Sequence, residues 1–122
     1  YEVFKMHPAH GRDILEPISF LHPLIPGVHL HHERWDGLGY PLGLKAQDIP
    51  LIARIISVAD TYDAMTSDRA YRKALPHEVA TSEINRCTGS QFDPDVAQLF
   101  LSTVEDYRCD SGNIQIIIRE MA

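Results

Sequence analysis

The segment from Asp48 to Thr66 commits this chain to helices. Leu51, Ile52, Ile55, Ile56, Ala59 and Tyr62 recur at the spacing of one helical face. Asp48 and Pro50 stand where a cap and an early proline belong. Strand-like alternation is scarce elsewhere, and further helical windows are separated by Pro and Gly. The first, Pro8 to Leu21, carries Ile14, Leu15, Ile18 and Leu21 as its stripe, with Pro17 placed to divide it. Pro23 and Pro26 then break the chain before a piece from Gly27 that brings His31 and His32 near its end. Another window runs from Pro76 to Cys87. The last runs from Pro94 to Tyr107, with Val96, Leu99, Phe100 and Val104 on one face and Asp93 as its cap. The tail, Ile114 to Ile118, reads as strand or helix equally well. The predicted architecture is all-α, with at most one stray strand.

At 122 residues the chain is at most one domain, long enough for one core. No apolar run reaches the roughly 18 residues a membrane span needs. The start, YEVFKMHP, has no signal-peptide pattern and no initiator Met, so the chain is expected to begin inside a longer protein. A formal charge of −6 argues against broad DNA or RNA backbone binding, though a pocket can still be locally basic. Cys87 and Cys109 lack metal-type spacing and are expected to be reduced thiols in a cytoplasmic protein.

Chemistry concentrates in residues 31–41, HHERWDGLGYP. Neutral imidazole is the commonest protein metal ligand, and the acids Glu33 and Asp36 could complete such a site or orient its histidines. The glycines permit close approach to a ligand, and Tyr40-Pro41 offers a stacking ring on a stiffened turn. Adjacent helical residues point about 100° apart. One metal therefore takes both His31 and His32 near a helix end, or each faces a different partner. A metal beside such a loop suits hydrolysis of something with phosphates and bases.

Asp60 lies in the apolar helix, where a carboxylate is costly unless paired, protonated or metal-bound. It either serves such a role or faces solvent, with Arg54 and Arg69 as candidate partners. Arg69, Arg72 and Lys73, with Tyr71 between, form a basic cluster suited to gripping phosphate, or a solvated turn. If that turn stays helical, Arg69 and Arg72 share a face. His10, His22, His29 and His77 read as ordinary structural histidines.

Four segments in order resemble the HD-GYP family of cyclic dinucleotide phosphodiesterases. They are HPAHGRDIL (7–15), HHERWDGLGYP (31–41), SVADTYDAMTSDRAYRKA (57–74) and GSQFDPDV (89–96). The resemblance implies a metal-dependent, cytoplasmic bacterial enzyme hydrolysing cyclic di-GMP, built as an HD-domain-like helical bundle. It implies His7, His31, His32 and Asp60 as metal ligands, with Tyr40, Asp63, Arg69 and Arg72 contacting substrate. Intact members hold two or three divalent ions, often iron or manganese.

The family's His-Asp pair does not occur in this chain. The pattern would place it, and a preceding glutamate ligand, before residue 1. Residues 1–122 therefore read as the C-terminal portion of a single HD-GYP domain, incomplete at its N-terminus. Without the bridging carboxylate that a two-metal site needs, the three histidines are expected to hold at most about one ion. The chain alone is expected to be inactive, its activity belonging to the longer protein. The alternatives are a non-catalytic module that senses cyclic dinucleotide or docks a partner, such as a diguanylate-cyclase-type protein, and a fragment that forms a homodimer through uncovered apolar surface.

Overall fold

The computed structural model describes residues 6–105, so the Ile114–Ile118 segment lies outside the described residues. The chain runs through α1 (His7–Leu15), a 3-10 segment (Ser19–Leu24), α2 (Ile25–Leu30), a 3-10 turn (Ala46–Asp48), α3 (Leu51–Thr66), α4 (His77–Arg86) and α5 (residues 94–105). The described residues form no strand beyond two isolated bridges, Arg69 with Arg72 and Thr88 with Phe92. The all-α expectation holds.

Pro17 divides the first window, since it has no N–H with which to extend the ladder. α1 stops at Leu15 and a 3-10 segment follows. The expected stripe is broken there: Ile14 is 70% exposed and Ile18 38%. α3 starts later than predicted. Asp48 closes the preceding 3-10 turn instead of capping, and the Ala53 and Arg54 amides bond to the Pro50 carbonyl at 2.9 and 3.1 Å.

The buried face of α3 is also rotated from the expected one. Ala53, Ser57, Val58 and Met65 are buried, while Leu51 and Ile55 lie half exposed and Ala59 is exposed. Apolar residues nearly encircle this helix, so its partners decide which of them are covered. Val58 and Met65 join Ala80, Ile84, Phe92 and Ala97 in the main core. Complete burial of side chains the size of Ile84 and Phe92 contributes about 1.5–3 kcal/mol each. On α5, Ala97 is buried and Leu99 is exposed, against expectation.

Asp93 caps α5 as predicted, accepting from the Asp95 and Val96 amides at 2.9 and 3.3 Å. Its other oxygen takes the Arg54 guanidinium at 2.6 Å, tying α3 to the start of α5.

Gly27 sets the spacing of α2 and α3. A Cβ there would lie 2.6 Å from Ile56 Cδ1 and 3.2 Å from Ile52 Cγ1, so a side chain would push the helices apart. One turn on from Gly27 comes His31, and one turn on from Ile56 comes Asp60. The contact that needs glycine therefore carries both residues to the same cleft.

Candidate metal centre

His7 is the first residue of α1, and His31 and His32 follow directly on the last residue of α2. Leaving the helix at that point removes the angular conflict between adjacent residues. The three rings converge: their centroids are 4.1 Å apart for His31–His32, 4.8 Å for His7–His32 and 5.6 Å for His7–His31. One nitrogen from each lies within 4.8 Å of the others, and His7 Nε2 and His32 Nε2 are 3.0 Å apart.

The His31 Nδ1 atom lies 2.8 Å from the Val28 carbonyl. That contact calls for a proton on Nδ1 and leaves Nε2 as the free ligand atom, the arrangement that orients metal-binding histidines. Burial pushes His32 down to about 4, with the neighbouring His31 and His7 adding to the effect and Asp60 opposing it. His32 is therefore neutral near pH 7, as a ligand must be. Three imidazoles in this arrangement fit a transition-metal ion such as iron.

A stability prediction follows. The folded state holds His32 unprotonated below its ordinary value of 6.5, so the unfolded chain binds more protons in that window. Metal-free protein should lose stability as the pH falls from about 6.5 towards 4. Thermal melting across this range checks it, and His32→Asn should flatten the profile.

His31, His32, Tyr40 and Asp60 all line one cleft of about 180 Å³. The Tyr40 ring stacks on His32 with centroids 4.9 Å apart and planes 20° from parallel. Asp60 is exposed, not buried against the core, and the two arginines weighed as its partners are taken: Arg54 by Asp93, and Arg69 by Asp63 at 3.7 Å.

Asp63, Arg69 and Arg72 do not line this cleft. The turn that carries the arginines is not helical. Arg69 and Arg72 face each other across it, through the Arg69 amide to the Arg72 carbonyl at 2.8 Å and the reverse at 3.2 Å. Residues paired across an antiparallel bridge point to the same side, so the two guanidiniums share a face by this route. Arg72 also donates to the Ala64 carbonyl near the end of α3.

The two acids of the central motif serve the loop and not the histidines. Glu33 accepts from the amides of Leu42, Gly43 and Leu44. Asp36 pairs with Arg34 at 2.6 Å and accepts from the Leu38 amide at 3.0 Å. The Arg34 hydrogen bond holds the Asp36 carboxyl below the usual carboxylate range. Gln91 also reaches the cleft, from the segment before α5. It lies in the GSQFDPDV segment that carries the family resemblance, but no role at the site was assigned to it from the sequence.

The sequence matches the family described as HD domain over residues 1–96. A cyclic di-GMP phosphodiesterase of Thermotoga maritima is 43% identical over 105 residues, covering 83% of this chain and 28% of the relative. A probable cyclic di-GMP phosphodiesterase of Vibrio cholerae is 49% identical over 77 residues, covering 63% of this chain and 18% of the relative. The crystal structure of a cyclic GMP-AMP specific phosphodiesterase of V. cholerae aligns with a TM-score of 0.74 at 29% identity, covering 91% of this chain and 25% of that one. The chain spans less than a third of the length of each of these proteins.

Proposed function

Because this chain belongs to the HD domain family, in its HD-GYP branch, we propose that it supplies the metal-holding and substrate-facing part of a cyclic di-GMP phosphodiesterase. The observation that carries this reading is the convergence of His7, His31 and His32 beside a cleft lined by Asp60 and roofed by Tyr40. The three imidazoles would hold the ion, iron or manganese, at a stoichiometry of about one in this chain. Asp60 would join them from α3. When bound, such an ion supplies positive charge that polarises a phosphodiester and activates water.

The remaining roles fall to the protein's own groups. Tyr40 presents a flat ring on which a nucleobase can stack. Arg69 and Arg72, on one face of their turn, would grip phosphate, with Asp63 fixing Arg69. The compartment is the cytoplasm, where a thiol such as Cys87 stays reduced.

Calorimetric titration of cyclic di-GMP into the manganese-loaded chain tests this reading. Saturable binding is expected. An Arg69→Gln/Arg72→Gln variant should bind about 10- to 100-fold more weakly with metal content unchanged, because charge-assisted contacts of about 1.5–3 kcal/mol are lost and no ligand is. Absence of binding in the wild type, or metal lost together with affinity, overturns the proposal.

A further inference from the structure

The Glu33 carboxylate is 3% exposed, and three consecutive backbone amides converge on it. The Leu42 and Gly43 N–H groups donate to Oε1 at 2.6 and 3.2 Å, and the Leu44 N–H donates to Oε2 at 2.9 Å. Gly43 has a φ of +69°, which lets successive N–H groups turn inward into an anion-binding nest. The anion in this nest is a side chain, and it belongs to the residue next to His32.

Tyr40 lies between two anchors. On one side its own amide donates to the His32 carbonyl at 3.2 Å. On the other, the loop returns through residues 42–44 to Glu33. Both anchors sit on the backbone that carries the histidine pair, so the height of the Tyr40 ring above His32 is set by hydrogen bonds and not by side-chain packing alone.

Resting on the phosphodiesterase reading above, we infer that Glu33 is a positioning residue. It holds Tyr40 as a rigid stacking face for a flat heteroaromatic ligand such as a guanine base. Glu33 borders the cleft, but both of its carboxylate oxygens are turned to the loop amides. Its effect belongs to ligand affinity, while metal affinity depends on the histidines.

Glu33→Gln keeps the shape of the side chain but turns a donor towards one of the converging amides. In the full chain, amide exchange at Leu42, Gly43 and Leu44 should quicken about tenfold or more, and the ring-current shift that Tyr40 imposes on the His32 ring protons should diminish. Cyclic di-GMP affinity of the manganese-loaded chain should fall about tenfold, with manganese affinity changed by no more than about threefold. Gly43→Ala strains the same nest without altering Glu33, since an added Cβ meets nothing closer than 3.8 Å. It should give the same pattern more weakly, and it decides the matter if Glu33→Gln does not fold. Manganese affinity falling in step with ligand affinity, or unchanged exchange and ring-current shifts, overturns the inference. A wild-type chain that binds no cyclic di-GMP defeats the functional reading instead, and exchange and ring-current shifts still decide the role of Glu33.

Discussion

Replacing His31 and His32 together by alanine is expected to abolish transition-metal binding by this chain while leaving its helices in place. Wild-type protein should hold about one equivalent of iron or manganese. Structural zinc in zinc-finger peptides is bound with apparent energies of about 10–16 kcal/mol, which sets the upper scale for a site of this kind. Removing two of three imidazoles should therefore cost more than about 5 kcal/mol, or roughly 10⁴-fold in affinity. The helices should survive because neither ring belongs to a core cluster. Metal analysis beside circular dichroism checks this. About one equivalent or more retained in the double variant would show that the ion sits elsewhere.

Gly39→Ala should be the most damaging single methyl group in the loop. A Cβ at that position would lie 2.4 Å from the Arg34 nitrogen, 2.5 Å from the His32 carbonyl oxygen and 2.6 Å from the Glu33 Cα. All three are backbone atoms, so no side chain can swing aside, and the loop itself must lift. A lift of about 1 Å separates Tyr40 from His32 and, on the proposed reading and by the usual sensitivity of aligned sites, should lower cyclic di-GMP affinity roughly 10²-fold. Overpacking of this kind also costs about 1–3 kcal/mol of stability. Metal content should be unaffected because no ligand changes. The variant should be compared with wild type by calorimetry and thermal melting, and wild-type affinity would refute the steric argument.

The helices were legible because their breaks are chemical: Pro17 ends one window and Asp93 caps another wherever the chain packs. The convergence on His31 and His32 was legible too, since a pair at a helix end is the arrangement that lets one ion reach both. The phase of α3 was not. With Leu51, Ile52, Ile55, Ile56 and Val58 all apolar, the period allows several faces, and the choice was made by Gly27 on one side and by Ile84 and Phe92 on another. Glu33 looked like a neighbour of the metal because it follows the histidines in sequence. Its true partners are backbone amides, which Leu42-Gly43-Leu44 does not advertise in its side chains. For Asp60 the sequence left a paired or metal-bound carboxylate and a solvent-facing one both open; it is exposed and lines the cleft beside His31 and His32.

The closeness of the three imidazoles has a further consequence for anyone following them by spectroscopy. With the His31 and His7 ring centroids 4.1 and 4.8 Å from that of His32, charge on either neighbour disfavours a proton on His32. A curve recorded at a His32 resonance will therefore report its neighbours' charge as well as its own burial. An arriving cation therefore meets a His32 nitrogen already without its proton near pH 7 and has none to displace there.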